Sequence, residues 1–189
     1  RRIAMTKFSN AGQMCVAPDY ILVHENVKDA LIDELKKAIQ QFYGPEVAAN
    51  EGYGRIINQK QFDRLVVYLG EGDVIEGGKT NRKDLFIAPT LMDNVQMDGG
   101  IMTEEIFGPI LPIISFNRNE EALSIIRQHK NPLAFYVFTS NRKKEEQWLQ
   151  QVSFGGGCIN NAALHLTNHH LPFGGRGYSG TGHYHGKFS

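Results

Sequence analysis

Apolar positions along this chain keep two periods, and the switches between them outline its elements. Tyr20-Ile21-Leu22-Val23 is a short apolar run and predicts a strand. A helical period follows, with Asn26 as its cap and Val27, Leu31, Leu35, Ala38 and Phe42 on one face; Gly44-Pro45 stops it. The next helix begins near Asn58, with Gln61 three residues on in the place of a capping box. It buries Phe62, Leu65, Val66 and Leu69 before Gly70. From Asp73 to Asp93, around Gly77-Gly78, the pattern reads as short strands and turns.

The second half alternates more plainly. Ile110 to Phe116 is a strand, and Glu120 to His129 a helix with Ala122, Ile125 and Ile126 inward. Leu133 to Phe138 is apolar throughout, as in a strand covered on both faces. Arg142 to Val152 is helical, and Cys158-Ile159-Asn160 ends a further strand. Strands and helices in alternation with short connections predict one α/β domain, built on an open, mostly parallel sheet flanked by helices that includes Tyr20–Val23, Ile110–Phe116 and Leu133–Phe138. The glycine-rich stretch from Pro172 to Gly186 should be irregular.

Composition changes this picture little. The chain has 189 residues, 41% of them hydrophobic, and its 20 basic and 20 acidic side chains cancel. Without a clustered positive excess, no nucleic-acid partner is expected. Two cysteines are too few for a disulfide scaffold, so a reducing, cytoplasmic setting is expected. Arg1-Arg2-Ile3-Ala4 reads as the middle of a helix, as expected of a piece of a longer polypeptide.

Chemistry concentrates at three places. In Asn10-Ala11-Gly12-Gln13-Met14-Cys15 a helical start runs into Gly12, so Cys15 falls on a tight turn ahead of the first strand. Backbone N–H groups there can favour a thiolate and hold an oxyanion. A small buried hydrophobe in a corner explains the same residue equally well. Glu104-Glu105-Ile106-Phe107-Gly108-Pro109 sets two carboxylates before an aromatic and a turn; a carboxylate can hold both hydroxyls of a ribose, and an aromatic can pack on a planar ring. A solvated acidic pair beside a core Phe is the plainer account. Pro172-Phe173-Gly174-Gly175 lies in a loop without the Lys-Ser/Thr ending of a phosphate loop, and Gly77-Gly78-Lys79 also lacks it. Cys158, after three glycines, reads as structural. Five of seven histidines fall late (His165, His169, His170, His183, His185), but glycines and Pro172 break the helix that a shared face needs, so no metal site is assigned.

Taken in order, the three segments resemble the aldehyde dehydrogenase superfamily: its cysteine motif, its cofactor-contact motif and its late loop. The resemblance covers essentially the whole chain. Gly12 to Tyr20, Tyr53 to Ile57 and Tyr184 to Lys187 are similar to the class 3 branch, which takes aromatic and medium-to-long-chain aldehydes. The resemblance implies that Cys15 is the nucleophile, forming a thiohemiacetal and then a thioester as an aldehyde is oxidised to a carboxylic acid. It implies that Glu105 holds the nicotinamide ribose of NAD or NADP, Phe107 sits beside the nicotinamide, and Phe173 walls the aldehyde tunnel. Its further implications are a homodimer and a cofactor-binding domain elsewhere in the polypeptide. No Glu-Leu-Gly-Gly segment, which carries the family's general base, occurs among these 189 residues. The parent is therefore expected to be the enzyme, and this chain alone to be inactive in oxidation or to act only as an assembly unit.

Overall fold

The computed structural model describes all 189 residues, which form two compact units, Ile3–Arg118 and Asn119–Ser189.

The first unit is built on a four-stranded sheet. Its strands are β1 (Ile21–His24), β2 (Asp73–Glu76), β5 (Thr90–Asp93) and β6 (Ile110–Phe116), ordered β1-β6-β5-β2. β1 and β5 flank β6 in parallel, with Ile21 opposite Ile113 and Thr90 opposite Ile110; β2 runs antiparallel to β5 at one edge. A hairpin of β3 (Thr80–Asn81) and β4 (Phe86–Ile87) stands apart. The mostly parallel sheet needs both faces covered, and both are. Alternation along the strands sends Met92 and Ile110 into one cluster, with Phe62, Leu65 and Tyr68 of α3 (Gln59–Tyr68) and Ile101 and Met102 of α4 (Gly100–Thr103). Leu91, Leu111 and Ile113 point into the other, with Ala4 and Phe8 of α1 (Arg2–Phe8) and Leu35, Ala38 and Ile39 of α2 (Lys28–Tyr43).

The helix ends depart from the expectation in chemistry more than in place. A 3-10 turn over Glu25–Val27 precedes α2, and the imidazole of His24, not Asn26, accepts the capping N–H at 3.3 Å. Val27 is 53% exposed and Leu31 half-buried, so the first fully buried residue of α2 is Leu35. Asn58 does cap α3, accepting from the Gln61 N–H at 2.9 Å, but the Gln61 side chain accepts from Arg64 instead of closing the box.

The second unit begins with α5 (Asn119–Gln128), which buries Ala122 and Leu123; Ile125 and Ile126 are only half-buried. β7 (Ala134–Val137), α6 (Arg142–Gln151) and β8 (Gly156–Ile159) follow as a strand-helix-strand unit. β7 and β8 are parallel, with Tyr136 opposite Cys158. They form their own two-stranded sheet, so the expectation that Leu133–Phe138 joins the main sheet is corrected. Coverage on both faces is corrected too: only Val137 of β7 is buried, and Phe138 is 44% exposed. A continuous apolar run records burial potential, not the number of strands available to meet it. The late loop holds one short helix, α7 (Leu164–Thr167), and an isolated antiparallel bridge between Phe173 and Tyr184. No helix is long and apolar enough to cross a membrane.

Candidate active site

α1 ends at Phe8, and the chain then leaves helical geometry through three consecutive left-handed residues, Asn10 (φ 51°), Ala11 (φ 51°) and Gly12 (φ 74°). Asn tolerates this region through local hydrogen bonds, and Asn10 makes them: its side-chain amide donates to the Gln13 carbonyl at 3.1 Å. Gln13 fastens the loop outward. Its Nε2 donates to the carbonyls of Asn10 and Arg55, both at 3.0 Å, and its Oε1 accepts from the Ile57 N–H at 2.9 Å. The Cys15 thiol lies exposed on the turn that follows, beside fully buried Val16. The corner position is as expected, and Cys15 is exposed there instead of buried in this chain.

Gly12 explains how this loop meets the second motif. A Cβ on Gly12 would stand 2.2 Å from the Gly108 carbonyl oxygen, a separation no side chain tolerates. The cysteine loop and the Glu105–Pro109 segment therefore touch backbone to backbone, Cys15 being three residues beyond one glycine and Glu105 three before the other. Gly108 is itself pressed against the Leu65 side chain. Phe107 takes φ 46° and stays 39% exposed, held out of the core by a backbone strained for a non-glycine residue.

The acidic pair is divided in role. Glu104 accepts from the Tyr68 hydroxyl at 2.8 Å, and Arg64 donates to that hydroxyl at 2.8 Å and to the carbonyls of Glu105 and Ile106 at 3.1 and 2.7 Å. Both acids line a surface cleft of about 520 Å³ with Ile57, Asn58, Gln61, Arg64 and Phe107, and no side-chain hydrogen bond ties Glu105 as Tyr68 ties Glu104. Partial burial and then the Asp19 charge raise the Glu105 carboxyl above its ordinary value, against the pull of Arg64 and Lys7.

Lys7 and Asp19 were not among the expected site residues. Asp19 accepts from the Ile106 N–H at 3.1 Å, tying the chain after Cys15 to the Glu105 segment. Lys7 is fully buried, its ammonium has no hydrogen-bond partner, and burial lowers it to about 8 despite the attraction of Asp19 and Glu105. A signal was present: Lys7 follows Ala4 at helical spacing, on the face that Ala4 and Phe8 bury.

Phe173 lies in the second unit, 9% exposed, with its ring 5.9 Å from His165, 5.5 Å from Tyr184 and 6.1 Å from His185. The histidines do not converge on one point. His165 faces Cys158, whereas His169 and His185 pack edge to face at 5.3 Å.

Comparison with known proteins converges on one family. The family described as "Aldehyde dehydrogenase family" matches residues 1–189. Human aldehyde dehydrogenase family 3 member B1 is 46% identical over all of this chain and 40% of its own length. The dog protein named "Aldehyde dehydrogenase, dimeric NADP-preferring" is 43% identical over all of this chain and 42% of its own length. Among solved structures, the substrate-bound state of Staphylococcus aureus AldH superposes with a TM-score of 0.95 at 47% identity, covering 99% of this chain and 41% of that one. The chain thus spans about two fifths of the length of the relatives it matches.

Proposed function

The chain belongs to the aldehyde dehydrogenase family, and from that premise we propose that it carries the nucleophilic cysteine with which its parent protein oxidises aldehydes to carboxylic acids. Cys15 is the nucleophile. Its sulfur attacks the aldehyde carbon, and the carbonyl π pair moves onto oxygen, where the Cys15 backbone N–H can stabilise it. Addition gives a thiohemiacetal on Cys15; its carbon would lose hydride to the dinucleotide and its hydroxyl a proton to leave a thioester, which water hydrolyses to the acid and the free thiol.

The cofactor in this reading is NAD or NADP, whose contribution when bound is a hydride acceptor. The residues present suit part of such a group. Glu105 lines the cleft and its carboxylate can accept from two ribose hydroxyls, while exposed Phe107 offers a ring face to a planar heterocycle. The NADP preference and dimeric state in the dog relative's name make either dinucleotide, and a homodimer, reasonable for the parent. Phe173 is assigned to the wall that receives the aldehyde, and the parent is assigned to the cytoplasm.

The observation that carries the reading is the contact of Gly12 with Gly108. It gives a reason for glycine at position 12, as Leu65 does for glycine at position 108, and couples an exposed thiol to the Glu105–Phe107 segment within one folded unit. Most dinucleotide contacts, and the family's Glu-Leu-Gly-Gly base, have no counterpart among these residues. A positioned base contributes about 100- to 10,000-fold, so this chain alone is expected to acylate without oxidising.

p-Nitrophenyl acetate tests this, since acylation needs only the thiol and an oxyanion donor. Mass spectrometry should locate an acetyl group on Cys15, and Cys15→Ser should abolish it, with no NADH formed from aldehyde and NAD by either chain. If Cys15 is no more reactive toward the ester than a free thiol in solution, the alternative stands: a folded unit serving assembly alone.

A further inference from the structure

We propose that Cys158 and His165 form a second reactive thiol–imidazole pair, a modification site that takes α,β-unsaturated aldehydes by conjugate addition. The thiol sulfur and Nδ1 of His165 are 3.7 Å apart, within reach of an S–H···N hydrogen bond. The imidazole is 5% exposed, and its other nitrogen, Nε2, has no partner in the fold. A buried ring nitrogen without a partner costs free energy, so the ring is not held there by its own hydrogen bonding. Glycine makes the room: a Cβ on Gly156 would stand 2.7 Å from His165 Cδ2. The ring is clamped between Tyr136 at 5.8 Å and Phe173 at 5.9 Å, while Cys158 remains partly accessible. A thiol beside a base that is oriented by a third group is the arrangement of an activated nucleophile.

The titratable groups facing His165 are Cys158 and Tyr136. Burial holds the imidazole below its ordinary value, so near neutral pH it is an uncharged base, and an imidazolium–thiolate ion pair is disfavoured at rest. Proton transfer therefore accompanies attack. The S–H proton passes to Nδ1 as sulfur bonds to the β-carbon; the C=C pair shifts to give the enolate, and the proton on His165 returns to the α-carbon. Nothing is oxidised and no group leaves. The choice of electrophile rests on the aldehyde reading above, through the contact of His165 with Phe173.

The test uses the 189-residue chain carrying Cys15→Ser, without dinucleotide, so that its result does not depend on Cys15 chemistry. Treated with trans-2-hexenal and mapped by peptide mass spectrometry, Cys158 should be alkylated, and hexanal should leave no stable adduct. The rate should change less than about threefold between about pH 6.5 and 8, because the neutral imidazole is already in place; an unassisted thiol gains about tenfold per pH unit. His165→Gln should lower the neutral-pH rate about tenfold or more and restore the steep dependence. A tenfold-per-unit profile in the chain with His165 intact overturns the proposal without any further variant. So does an equal rate after His165→Gln. Labelling by N-ethylmaleimide but not by hexenal overturns the enal as ligand.

Discussion

The two units bury themselves to different degrees. In the first, a central sheet is covered on both faces, and Phe8, Leu35, Leu65, Leu91, Ile106, Ile110 and Leu111 are at most 1% exposed. In the second, no residue of α6 or β8 is fully buried, and the buried apolar side chains are few: Ala122, Leu123, Val137, Val152, Ala162 and Phe173. The physical origin is layer count. A helix–sheet–helix arrangement gives every strand residue a neighbour on either side, whereas a two-stranded sheet offers little surface to close over. The candidate site follows that division. Cys15, Glu105 and Phe107 stand on the more deeply buried unit, and the ring cluster around His165 and Phe173 stands on the less buried one.

The contrast can be broken by substitution. Leu65→Ala removes a fully buried side chain that meets Gly108, and should cost about 2–5 kcal/mol in urea unfolding. It should also slow Cys15 acylation, since Gly108 is the contact of the cysteine loop. A loss below about 1 kcal/mol would mean that the first unit is not better packed than the second.

Lys7 gives a smaller effect with a defined pH dependence. Its folded value of about 8 lies below the ordinary 10.5, so between those values the unfolded chain binds more protons and stability rises with pH. Below about 8 the buried ammonium is charged in both states, and its full cost is present. Lys7→Met should therefore stabilise the first unit by about 1–4 kcal/mol near neutral pH. The gain should shrink as pH rises from 8 toward 10.5, and thermal melts across that window check it. A gain independent of pH would assign it to packing and not to charge.

The smallest effect is expected in the second unit. Leu149 of α6 is 39% exposed, and Leu149→Ala should change stability by about 0.5 kcal/mol or less. Trp148, the single tryptophan, is its neighbour, so indole fluorescence follows this unit alone. Its urea midpoint should fall below that of far-UV circular dichroism in the unsubstituted chain; coincident midpoints would make the two units one cooperative block.

Much of this protein is set by order along the chain. The period of apolar residues determined β1, α2, α3, β6, α5, β7 and α6 to within a few residues, because such periods reflect which side of an element is buried. Cys15 on a turn after Gly12, and Glu105 with Phe107 before Gly108-Pro109, were also legible, since motifs are local in sequence. Tertiary structure alone decided the rest. Whether Leu133–Phe138 joins the main sheet depends on strand pairing at long range, which a local period does not encode. That Gly12 must be glycine because of Gly108, that Lys7 is buried where the charges of Asp19 and Glu105 reach it, and that Cys158 faces His165 are facts about residues brought together across turns and elements. Each depends on a distance in space that no spacing in sequence determines.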